Sequence, residues 1–161
     1  MTGRRGYALL GAALLIGLLA GGADAAKSSA ERRLTPVDIA RLPPVANGAG
    51  TSGLHAIQTR LLHGDPTTSG PYTIAITVPP DTVIAAHTHR DDRTAVVVAG
   101  VWYFGYGVTA SRARERQLGV GSFYTEPGGD PHFARTGAEG ATVDITGFGP
   151  SDTHDINSPA P

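Results

Sequence analysis

With 161 residues and a hydrophobic content of 40%, the chain has room for one domain of ordinary size and needs no second. Only 17% of its residues are charged and the formal charge is −1, which offers nucleic acid no basic surface and speaks against it as a partner. No cysteine is present, which rules out disulfides, thiolate ligands and cysteine nucleophiles, so any metal must be held by His, Asp or Glu.

Arg4 and Arg5 precede an apolar run from Tyr7 to Ala20 that is too short to span a bilayer comfortably. Ala23-Asp24-Ala25 then supplies the small residues a signal peptidase selects. Residues 1–25 are therefore expected as a cleavable signal peptide, cut before Ala26, with an uncleaved anchor as the alternative. The mature protein is expected in the periplasm or secreted, with no stable membrane insertion after processing. The paired arginines leave twin-arginine and general secretory export both open. Removing Arg4, Arg5 and Asp24 from 13 basic and 14 acidic side chains leaves 11 against 13, a formal charge of −2.

Residues 26–50 read as a polar, proline-rich lead-in with one short helix around Pro36 to Leu42. The domain itself is expected over residues 51–150. Gly53 to His63 alternates like a strand, and Gly64-Asp65-Pro66 followed by Ser69-Gly70-Pro71 marks a loop. Tyr72 to Val78 and Thr82 to Thr88 read as strands separated by Pro79-Pro80-Asp81. Thr94 to Ala99 and Val101 to Tyr106 follow, with Gly100 between them expected at a tight hairpin turn. Thr109 to Leu118 reads as a helical turn or a solvated loop. Gly121 to Glu126, His132 to Arg135 and Ala141 to Gly147 are the remaining strands, and residues 151–161 are expected as a loose C-terminal tail. Many short strands and turns predict an all-β domain.

His87 and His89 lie one residue apart on a predicted strand, where i and i+2 share a face and both imidazoles can reach one ion. His132 follows the rigid turn Pro127-Gly128-Gly129-Asp130-Pro131, which fixes its direction. Three neutral imidazoles suit one divalent ion, with Fe, Zn, Mn, Ni and Cu as candidates, and leave coordination positions open. Trp102, Tyr103, Phe104, Tyr106, Phe123, Tyr124 and Phe133 cluster around these positions and read as barrel core, some of them lining a pocket. His55, His63 and His154 read as loop or surface histidines.

These residues resemble the cupins, whose first motif runs Gly, five residues, His-x-His, three or four residues, Glu, six residues, Gly. His87, His89 and Gly100 match it, while Asp81 stands at the Gly position and Arg93 at the position of the metal-binding Glu. The second motif is matched by Gly121, Pro127, Gly129 and His132, with Thr136 replacing its final Asn. The resemblance covers about Gly53 to Pro150 and is similar to exported single-domain bacterial cupins. It implies a jelly-roll barrel, the double-stranded β-helix, that binds one divalent metal and a small-molecule ligand and that forms a homodimer through its edge strands.

Arg93 stays protonated and cannot be a ligand. Asp91 or Asp92 as substitute carboxylate, a site of His87, His89 and His132 alone, and a lost metal are the three readings this leaves, of which the three-histidine site is favoured. That site is similar to the thiol and gentisate-type dioxygenases of the family. Were Arg93 inward, the site would welcome an anionic ligand; were it outward, it would pair with Asp91 or Asp92. Arg93, Glu126 and Tyr106 are the candidate catalytic side chains, Glu126 as base or outer-shell partner. The functional expectation is a metal-dependent oxygenase, lyase or isomerase acting on a small carboxylate. A non-catalytic metal- or ligand-sensing barrel and a barrel with a vestigial site are the alternatives.

Overall fold

The computed structural model describes residues 31–45, 51 and 53–156. The expected signal peptide, its cut before Ala26 and residues 157–161 of the tail lie outside them.

The short helix is present as α1 (Pro36–Arg41). Thr35 caps it and Asp38 reaches back to the Thr35 backbone, a reciprocal box that satisfies free donors at the helix start, while Pro36 fits the first turn. Leu42 leaves helical geometry just ahead of two prolines, as the residue before proline disfavours the helical region. Arg60 ties the end of this segment down by donating from Nε to the Leu42 carbonyl at 3.2 Å.

Everything else is antiparallel sheet: β1 (Gln58–His63), β2 (Gly70–Val78), β3 (Val83–Thr88), β4 (Arg93–Tyr106), β5 (Glu115–Leu118), β6 (Phe123–Glu126), β7 (His132–Gly149) and β8 (His154–Asp155). The all-β, jelly-roll expectation holds. Two long strands organise the molecule. β7 pairs with β4 along most of its length, with β2 through Ala141 to Gly149, and with β3 through His132 to Arg135. Between them lies a core that includes Tyr72, Ile74, Val78, Val97, Val143 and Ile145.

Three expectations are corrected and one is met in part. Gly100 is not a hairpin turn: β4 runs through it as one strand. Its φ of +72° and the ladder shifts on either side make it a bulge that bends β4. A Cβ there would stand 2.2 Å from the Gly140 carbonyl oxygen, so only glycine fits. His132 to Arg135 and Ala141 to Gly147 are likewise one strand, β7, with Gly140 at φ +69° inside it. The single helical turn expected in the Thr109 to Leu118 interval is present as a 3-10 turn (Arg112–Arg114), but the interval then continues as β5, which pairs with β4. The tail is not loose up to Ile156: Ser151 is buried, β8 pairs with β3, and the Ile156 N–H donates to the Ala86 carbonyl.

Candidate metal centre

The alternation of β3 would by itself have sent His87 the wrong way. Ile84 and Ala86 are buried while Val83 and Ala85 face out, so the odd positions look to solvent. A shift in the β3–β7 register between Ile84 and His87 breaks this parity and turns His87 inward. There it pairs directly across from His132, and His89 follows just past the strand end.

All three rings are buried, and each is fixed by a backbone carbonyl at Nδ1: His87 by Ala85 at 2.8 Å, His132 by Asp130 at 3.1 Å, and His89 by Asp152. An Nδ1–H donated to a carbonyl leaves the Nε2 lone pair free to bind. One ligand atom from each ring lies within 4.8 Å of the other two, close enough to share a single ion. Nε2 of His89 and of His132 are buried with no hydrogen-bond partner. Burial holds His87 at about 4 and His89 at about 3, and lowers His132 as well, so all three are neutral at ordinary pH. Unpartnered, neutral and convergent nitrogens fit a divalent cation.

Arg93 points inward and is 4% exposed, which corrects the outward alternative. Its partner is Glu126, also 4% exposed and directly opposite on β6, where Arg93 Nε donates to Glu126 Oε2 at 2.6 Å and the guanidinium NH2 makes a second contact. The same carboxylate oxygen is 4.0 Å from His89 Nε2 and 3.8 Å from His132 Nε2. Burial would raise Glu126, but the Arg93 charge wins and holds it at about 2. The histidines, being neutral, add little to that. Glu126 is thus an anion throughout, and Arg93 is kept charged by it.

Neither Asp91 nor Asp92 is the substitute carboxylate. Asp91 is buried elsewhere, accepting from Tyr72 Oη at 2.7 Å and Ser151 Oγ at 2.6 Å, and Asp92 accepts from the Gly128 N–H on the surface. Tyr106 does not reach the site either: it is 48% exposed and its hydroxyl donates to the Thr125 carbonyl. His55 and His63 are not part of the cluster, and His154 sits outside against Asp152. A small cavity of about 20 Å³ adjoins the histidines, lined by His87, His132, Arg93, Glu126, Trp102 and Tyr124 together with apolar side chains such as Phe104 and Ile145.

No family model and no curated protein matches the chain. Solved structures do. It is similar to the polyketide cyclase RemF from Streptomyces resistomycificus (17% identity, TM-score 0.59, covering 81% of this chain and 88% of that one). It is also similar to an RmlC-like cupin from Shewanella frigidimarina (14% identity, TM-score 0.55, covering 74% and 92%). The fold is that of the cupins. The DMSP lyase DddQ from Ruegeria pomeroyi is similar over 65% of this chain and half of its own length (19% identity, TM-score 0.50).

Within the cupin pattern each departure has a local reason. Asp81, at the motif glycine, takes φ +52°, a left-handed geometry that Asp tolerates better than most residues. Thr136, at the motif asparagine, is buried and bridges the turn before β3, donating to the Pro79 carbonyl at 2.6 Å and accepting from the Thr82 N–H at 2.9 Å. At the motif glutamate the charge is exchanged across one rung of sheet. The cation stands on β4 and the carboxylate on β6, immediately before the second-motif proline. No local sequence signal foretold that pairing of Arg93 with Glu126, which strand register alone brings about. The Asp152 carbonyl that fixes His89 had none either.

Proposed function

We propose that the chain is an exported cupin that holds one divalent metal on His87, His89 and His132 and acts on a small carboxylate as an oxygenase, lyase or isomerase. The observation that carries this reading is the convergence of neutral, unpartnered imidazole nitrogens beside a permanently ionised Glu126. A divalent ion there would polarise a bound oxygen and acidify a bound water. At a pKa of about 2, Glu126 is a weak proton acceptor, so its role is electrostatic: it sets a negative charge beside the cation's ligands. Arg93 fixes the direction of that carboxylate and neutralises it. Three neutral ligands and a self-compensated ion pair leave the charge of the ion to be balanced by an anionic ligand. Ile76, Ile84, Phe104 and Ile145 keep bulk water out.

A second reading, a metal- or ligand-holding barrel without turnover, is favoured by one observation. The cavity has room for about one water-sized group, so a whole organic acid would have to displace its walls. Metal analysis of protein purified from the periplasm is expected to give one equivalent of divalent metal. His132→Ala should lose most of it while staying folded. Equal metal content in His132→Ala and the parent would sink the three-histidine centre. Incubating the loaded protein with a panel of small hydroxy and keto acids, with product detection, separates turnover from binding alone.

A further inference from the structure

The cavity that the histidines enter carries polar groups that the metal reading does not use. Trp102 is 2% exposed and Tyr124 6%, and both line the cavity that His87 and His132 enter. Trp102 Nε1 and Tyr124 Oη are buried and make no well-aligned hydrogen bond among the described residues, although Tyr124 Oη lies close to Trp102 and to the Glu126 carboxylate. A buried donor left unmade is costly, and native structures keep few of them. Two in one cavity, against a backdrop of Ile, Phe and Ala, are a concentrated exception.

The identity of the groups says what they would bind. An indole N–H donates only. The Tyr124 hydroxyl keeps its proton, since burial and then the Glu126 charge push its pKa well up. Both groups carry protons to donate, and the Phe104 ring neighbours both sets, its centroid 4.1 Å from that of Tyr124 and 5.5 Å from that of His132.

We propose that Trp102 Nε1–H and Tyr124 Oη–H form an oxygen-acceptor subsite that holds the head group of a small carboxylate in the cavity beside the histidines. This rests on the metal-centre reading and deepens it, by naming residues that would recognise the ligand beside the ion. With free space of about 20 Å³, even a formate- or acetate-like end enters only as the walls give a little, and rings are excluded.

Trp102 is the sole tryptophan of the chain, so its fluorescence reports on this cavity alone. Formate is titrated into the Co(II)-loaded parent and Tyr124→Phe, read by the visible Co(II) bands, and into the metal-free forms, read by Trp102 emission. The expected result is a formate affinity about five- to ten-fold weaker in Tyr124→Phe, the loss of one net hydrogen bond. Co(II) affinity and Tm should stay close to those of the parent, because Tyr124 Oη makes no well-aligned intramolecular bond. Trp102→Phe, read by the Co(II) bands, should weaken formate similarly. Unchanged formate affinity in both variants overturns the subsite. A fall in Tm of Tyr124→Phe with formate affinity unchanged assigns its hydroxyl to a structural bond and overturns it too. If the parent takes up no Co(II), the metal centre fails separately. The metal-free titration then decides: a formate response of Trp102 emission that Tyr124→Phe loses upholds the subsite, and no response overturns it.

Discussion

At position 93 a cation stands where the cupin pattern has a ligand, and its effect depends wholly on what faces it. Arg93 and Glu126 are opposed on one rung, both buried and in direct contact. Removing either leaves an uncompensated charge in the core. Arg93→Glu alone would set two carboxylates together, so it is expected to cost about 3–5 kcal/mol in the metal-free protein. Arg93→Glu combined with Glu126→Arg rebuilds the pair with the carboxylate on β4, the motif position, and should recover most of that loss while retaining metal. Urea unfolding of the two single variants and the double variant measures the coupling. If the double variant is no more stable than the singles, the pair is not an interchangeable unit. The ligand histidines were legible in the sequence because their signals are local: one residue between His87 and His89, one turn before His132. The role of Glu126 was not, since its partner lies 33 positions away and only strand pairing brings them together.

Among the elements, the sequence identified the strands better than their continuity. A glycine inside a β-branched run reads as a stop, yet Gly100 lets β4 bend and carry on, packed against Gly140 of β7 at the matching bend. The bulge before His87 was equally hidden, because side-chain parity follows from cross-strand register, and neither motif encodes that. Gly100→Ala must take an unfavourable φ and also push the Gly140 carbonyl away. A loss well above the ~1 kcal/mol of an ordinary left-handed substitution is expected. Thermal unfolding gives the value, and a Tm within a degree of the parent would mean that β4 turns this corner some other way.

For the molecule as a whole, the neutral histidines make stability depend on pH. His87 and His89 stand at about 4 and about 3 when folded, against 6.5 when exposed. As the pH falls below about 6.5, the unfolded chain takes up protons there and the folded chain does not. The metal-free protein should therefore lose up to about 1.4 kcal/mol per pH unit for each of these imidazoles between pH 6.5 and about 4. The stability that Glu126 gains from its depressed pKa is lost only lower, between about 4.5 and about 2. A Tm that is flat from pH 7 to 5 in chelator-treated protein would contradict this. The export expectation has its own test: the periplasmic protein should have the intact mass of a chain beginning at Ala26, and a mass that retains Met1 would mean a tethered protein.

The segment from Ser151 to Ile156 has a consequence for the order of events in the cell. Its Asp152 carbonyl orients His89, Ser151 holds Asp91 against Tyr72, and Ile156 closes onto β3. His87 and His132 can meet as soon as β7 zips onto β3, but the third imidazole is aimed only after the last described residues have docked. If the chain is exported unfolded with its amino terminus ahead, a half-delivered barrel presents at most two oriented nitrogens to the metal pool around it. On that reading tight capture would be deferred until the domain is finished, and a loaded centre would serve as a molecular receipt for completed folding.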